Sequence, residues 1–125
     1  MKFLCLCYYD VEAFSRLSQA QMEKLGPACK PFDEALYKTG KVMVASLSAP
    51  EMWKTIQPQG GKPAVTAGPH LAQKDQAGAF LIIEAADMDE AVRIASLHPA
   101  ANLNADLGWA IDVRACETFD SHLRD

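Results

Sequence analysis

The chain has 125 residues, 50% of them apolar and 22% charged, so it is one globular domain with a single modest core. Its net charge of −4 and pI near 5.3, with no Lys/Arg cluster, exclude an ordinary nucleic-acid binder, which carries a basic face. The longest early apolar run, Phe3 to Tyr9, is too short to span a bilayer, and Asp10 and Glu12 follow it at once. The chain therefore reads as a cytoplasmic protein that makes no membrane contact and has nothing removed from its N-terminus.

Lys2 to Tyr9 is the first predicted strand. Phe3, Cys5, Cys7 and Tyr9 lie on one face and Leu4, Leu6 and Tyr8 on the other. Both faces are apolar, so both need covering. Asp10 to Leu17 reads as a loop with about one helical turn. Ser18 and Gln21 form a capping box ahead of Met22, Leu25, Cys29, Phe32 and Leu36, a helical stripe. Pro27 and Pro31 interrupt that stripe: the helix either kinks at Gly26-Pro27 or restarts there. Gly40 ends it.

Lys41 to Leu47 is a second strand. Trp53 to Ile56 and Pro63 to Thr66 form a small hairpin, joined through the turn-rich segment 57–62. Gly68-Pro69 breaks the chain, and Ala79 to Ala85 is the clearest strand. Asp87 to Glu90 is another capping box, opening a helix whose apolar face is Met88, Ala91, Val92 and Ala95. Pro99 stops it, 102–107 is loop, and Trp109 to Ala115 is the last strand. Its Trp109, Ile111 and Val113 share one face, and Asp112 and Arg114 share the other. Residues 1–116 make the domain, and 117–125 are a polar tail. The order β-α-β, hairpin, β-α-β predicts an α+β, ferredoxin-like βαββαβ fold with an inserted β-hairpin. Its open sheet face calls for a second copy, giving a homodimer of the dimeric α+β barrel type.

The segment GKPAVTAGPHLAQKDQAGAFLIIEAADMDEAVRIASLHPAA, the opening MKFLCLCYY and Asp112-Val113-Arg114 together resemble the YCII-related proteins, in the branch named for an Asp-Gly-Pro-Phe loop. Within that loop Gly68 and Pro69 remain. Ala67 stands where the branch has Asp and His70 where it has Phe. Lys74-Asp75-Gln76 stands for a Lys-Glu-Gln run, and Ala79 for a glycine. The resemblance implies a dimeric α+β fold but no settled reaction. Relatives are thought to pair a helix-one His with an Asp just before a Pro. On that pattern the two positions fall at Cys29 and His98, a reversed and altered dyad.

The candidate catalytic residues are thus His70, His98 and Cys29, and the candidate ligand-binding residues are Arg114, Asp112, Lys74, Asp75 and Tyr8. A thiolate at Cys29 needs a base within reach. Against that, Cys29 lies on an apolar stripe and His98 sits where a helix C-terminus favours cations. His70 follows a loop break and could act as acid, base or ligand, or simply be solvated. Lys74 and Asp75 read equally as a surface pair. Asp112 and Arg114 could hold an anion through the guanidinium fork, or be a polar strand face. Tyr8 and Trp109 line a cavity or belong to the core. The four cysteines lack CxxC spacing, and Cys5 and Cys7 point the same way, so reduced buried thiols are expected. No metal, phosphate-loop or nucleophile-elbow pattern occurs, and no cofactor is expected.

The favoured function is small-molecule binding with acid–base chemistry of a lyase or isomerase type. His70 or His98 would act, and Arg114 would orient a small organic acid. The alternative is a non-enzymatic dimeric module, linked in relatives to sigma-factor-dependent transcription. A relative that keeps the fold and has lost its site is a third reading, because of Ala67 and His70.

Overall fold

In the computed structural model, which describes residues 1–124, strands β1 (Lys2–Asp10), β2 (Val42–Ser46), β5 (Asp75–Glu84) and β6 (Ala110–Ala115) form one sheet. The strand order is β2-β5-β1-β6, and every neighbouring pair is antiparallel. Helices α2 (Gln19–Tyr37) and α3 (Met88–Ala95) connect β1 to β2 and β5 to β6, so each crossover passes over a strand of the other unit. That is the ferredoxin-like α+β arrangement. The hairpin β3 (Lys54–Gln59) and β4 (Lys62–Ala67) stands apart as its own two-stranded sheet. The short helix α1 (Val11–Ser15) falls within 10–17, the stretch expected to be a loop with about one helical turn. None of the helices among the described residues is long and apolar enough to cross a membrane.

Alternation decides the layers. Phe3, Cys5 and Cys7 pair across the sheet with Ile83, Leu81 and Ala79, and most of this face is buried under the helices with Leu36, Ala91, Ile94 and Ala95. The opposite face carries Leu4, Leu6, Phe80 and Ile82, all half-buried, beside Met43, which is 65% exposed. So, among the described residues, the two-sided apolar character read from β1 leaves one sheet face without a helix over it. Between Cys7 and Tyr8 the β1–β5 register skips Gly78, a bulge that re-aims the end of β5. A Cβ on Gly78 would meet Tyr9 Cδ1 at 3.0 Å, so glycine leaves room for the Tyr9 ring.

The caps follow the sequence. Ser18 Oγ accepts from Gln21 N (3.1 Å) while Gln21 Oε1 accepts from Ser18 N (2.8 Å), completing the capping box. At α3, Asp87 accepts from Glu90 N (2.8 Å), but the Glu90 carboxylate reaches Ala86 N rather than Asp87 N, and pairs with Lys41 at 3.3 Å. The box there is half-made, and its acid ties α3 to the start of β2. Three readings are refined. Helix α2 runs unbroken through Pro27 and Pro31. Both prolines and the residues whose carbonyls they leave unpaired, Glu23 and Pro27, are exposed, so water can satisfy those carbonyls. Helix α3 buries Ala91, Ile94 and Ala95, whereas Met88 and Val92 stay 40% and 45% exposed, so its inward face is turned from the predicted one. The hairpin ladder extends through Pro58 and Pro63, leaving only Gly60-Gly61 as the turn, both with positive φ as a tight two-residue connection requires. Residues 116–124 contain no helix or strand.

Candidate functional site

A cavity of about 370 Å³ opens where the bulged end of the β1–β5 pair, helix α2 and the segment after α3 converge. Its floor includes Cys7 and Ala79, and its aromatic walls are Tyr9, Phe14 and Trp109. Tyr9 and Phe14 meet edge to face at 5.5 Å. From α2 come Cys29 and Asp33, one helical turn apart, and from the other side comes His98.

The geometry of His98 follows from the proline after it. Pro99 disfavours the helical region for its predecessor, and His98 is extended (φ −69°, ψ 145°). The chain leaves α3 there, and the imidazole turns back over the next short turn, Pro99–Ala101. Its Nδ1 accepts from Ala100 N at 2.9 Å. Asn102 holds the segment by donating to the carbonyls of Ser96 (2.8 Å) and His98 (2.9 Å). An accepting Nδ1 puts the proton of the neutral ring on Nε2. That Nε2–H faces Cys7 Sγ at 4.0 Å, a weak acceptor at long range. His98 is 9% exposed, and burial pushes its pKa below 6.5, only partly opposed by the Asp33 charge. His98 is therefore a neutral donor at a helix exit, not the dipole-stabilised cation that its place after α3 suggests.

Burial works against a thiolate at Cys5, Cys7 and Cys29. Burial first, then Cys5 and Asp112, push Cys7 up to about 12. Burial first, then Asp112 and Cys116, push Cys5 up to about 11. Burial, followed by the Asp33 charge, raises Cys29 as well. Cys29 and His98 share the cavity wall, but the sulfur partner of His98 is Cys7, and Cys29 has no hydrogen bond to the imidazole among the described residues.

The other predicted residues lie elsewhere. Tyr8 touches the cavity, yet its hydroxyl donates to Asp112 Oδ2 (2.8 Å) on the far face of the sheet and accepts from Arg114 (3.0 Å). Arg114 also grips both Asp112 oxygens, at 3.1 and 2.9 Å, and this bond is the main cause holding the Asp112 carboxyl below its ordinary range. Neither Asp112 nor Arg114 lines the cavity, so the geometry gives Arg114 no part in orienting a ligand there. Lys74 pairs with Asp10 at 3.5 Å, and its carbonyl accepts from Val11 N. Asp75 is exposed opposite Asp10 in the β1–β5 ladder. His70 is exposed and also outside the cavity. The loop before it anchors the hairpin, for Gly68 N donates to the Trp53 carbonyl and Thr55 Oγ1 donates to the Gly68 carbonyl. Ala67 ends β4 opposite Lys54, so an Asp there would face a lysine across the hairpin.

Asp33 went unnoticed in the sequence. It lies four residues after Cys29, hence on the same face of α2, but Phe32 beside it dominates the apolar stripe. Among the described residues no side chain bonds its carboxylate. No cluster of three potential metal ligands occurs among those residues.

The fold and cavity define a ferredoxin-like α+β protein with a small, mostly apolar chamber beneath its first long helix. The chain belongs to the YCII-related family, whose domain matches residues 1–111. A solved structure with a similar chain course is 5-chloro-2-hydroxyhydroquinone dehydrochlorinase from Burkholderia phenoliruptrix in complex with 2,5-dihydroxybenzoquinone, at TM-score 0.46 and 21% identity over 94% of each chain. A likeness of that degree carries neither ligand nor reaction across. No curated protein sequence matches the chain.

Proposed function

We propose that the chain binds a small organic molecule in this cavity and performs proton-transfer chemistry on it, of an isomerase or lyase type. One observation carries the reading: a buried imidazole N–H and a carboxylate from a different element, neither committed to a strong partner, converge on the same aromatic-walled space. A cavity of about 370 Å³ fits a ligand of one or two rings. Asp33 is the base that takes a proton from carbon beside a carbonyl. The Nε2–H of His98 donates to that carbonyl oxygen and stabilises the negative charge that develops on it. Returning the proton to another carbon completes an isomerisation, and expelling a group from the neighbouring carbon completes an elimination. The Ala100 N–H on Nδ1 favours the donor form, because a second proton on the ring would set two donors facing each other. The pair corresponds to a reversed His/Asp dyad, with the acid one turn beyond Cys29.

The assembly belongs to the same proposal. The half-buried Leu4, Leu6, Phe80 and Ile82, with exposed Met43, favour a second copy packed on the open sheet face. Sedimentation equilibrium is expected to give a dimer and Leu6→Glu to shift it to monomer; a monodisperse wild-type monomer overturns this part.

The chemistry is tested in D₂O. A mixture of small carbonyl compounds is incubated with the protein, and loss of C–H signals is followed by proton NMR. The wild type is expected to exchange at least one compound, and Asp33→Asn and His98→Ala to abolish that exchange. Exchange that survives both changes excludes these residues as the working pair.

A second reading, a non-enzymatic binding or regulatory module, draws on a different feature. An open groove of about 500 Å³ runs between α3 and the edge strand β6, lined by Met88, Val92, Ile111 and Val113. A protein with no exchange on any compound, and with no ligand in its cavity, favours that reading.

A further inference from the structure

The charge of the ligand is legible from the same cavity, and this inference rests on the reading that the cavity is the binding site. Among the described residues no Lys or Arg lines it. Of the cations near it, Arg114 is engaged with Asp112 and Tyr8 on the far sheet face and Lys74 with Asp10, while Lys30 on α2 is exposed and does not line the cavity. Asp33 is the acidic residue of the wall, and a second negative charge, Glu51, acts on the lining residue Tyr9. His98 offers one N–H and no compensating positive charge while it remains neutral. The walls of Tyr9, Phe14 and Trp109 suit a flat ring. A ligand carboxylate would meet the Asp33 carboxylate with no cation between them. A ligand N–H would instead supply the donor that Asp33 lacks.

We infer that the cavity selects flat, ring-sized molecules that are neutral or positively charged, present a hydrogen-bond donor to Asp33, and are not carboxylates. Asp33 is the specificity-determining residue, acting by repulsion of anions as well as by attraction of donors. This replaces the organic acid expected when Arg114 was placed beside the ligand.

Three planar probes of nearly equal size separate the possibilities: benzamide, benzamidinium and benzoate. Each is titrated into ¹⁵N-labelled protein while the amides of Leu47, Ala79 and Ala100, which line the cavity, are followed. Benzamide and benzamidinium are expected to bind at least about tenfold more tightly than benzoate. Asp33→Asn is expected to remove the preference for benzamidinium and admit benzoate, while Asp33→Glu keeps the wild-type order. Benzoate binding as tightly as the other two overturns the charge inference and leaves the cavity as the site. An unchanged order in Asp33→Asn overturns the role given to Asp33. No shift at the three amides with any probe overturns both the inference and the reading on which it rests.

Discussion

Helix α3 buries Ala91, Ile94 and Ala95 within eight residues, whereas α2 buries only Leu36 within nineteen. The two helices occupy equivalent places over one sheet, yet one is part of the core and the other mostly bridges it. Along α2 the apolar stripe closes progressively, from exposed Met22 through half-buried Leu25, Cys29 and Phe32 to buried Leu36. The cavity lies on the less buried side, between the middle of α2 and the hydrogen-bonded exit of α3. Incomplete packing leaves the space, and the well-packed unit supplies the residue that is held in place, His98.

The contrast can be broken at several levels. The largest effect is expected from Leu81→Ala, a fully buried site on β5 beneath the helices, at about 2–5 kcal/mol of lost stability in urea unfolding. Leu25→Ala on α2 is expected to cost less than about 1 kcal/mol. Equal losses would erase the distinction between the two units.

Thiol labelling at pH 8 resolves the same contrast along the cysteines. With Cys5 and Cys7 pushed up to about 11 and about 12, and both buried, they should react roughly a hundredfold or more slowly than an accessible thiol. Cys116 and Cys29, both half-buried, are expected to label first, as mass spectrometry of the quenched products would show. Early modification of Cys7 would mean that the cavity floor opens readily.

Pro27→Ala is expected to stabilise the fold by about 1 kcal/mol. It restores an interior helix hydrogen bond and removes a ring clash, against a small gain in unfolded-chain entropy. A lower melting temperature would indicate that the proline shapes α2 for the cavity rather than being tolerated there.

The smallest effect is a dependence on pH. The folded pKa of His98 lies below 6.5, so as the pH falls below about 6.5 the unfolded chain takes up the proton first. The contribution of neutral His98 is fully present above that value and is lost progressively as the pH falls towards the folded pKa. His98→Gln should flatten this part of the stability profile, read from urea midpoints between about pH 7 and pH 5. An identical slope in the variant would mean that other groups titrate there.

The elements and their order were legible along the chain, because strand alternation, helical spacing and caps are local physics within a few residues. Ser18 and Gln21 announce α2, Pro99 forces the exit that sets His98, and the hairpin follows from Gly60-Gly61. Which polar groups meet depends on long-range packing. His70, Asp112 and Arg114 looked as suitable as His98, but they sit on an exposed loop and on the far sheet face, because a strand residue's side is fixed by pairing register and a loop residue's by what the loop anchors. Asp33 joins His98 across sixty-odd residues of chain. Only the packing of α2 on the sheet, a sum of many weak contacts with no single-residue signature, brings that carboxylate to the cavity.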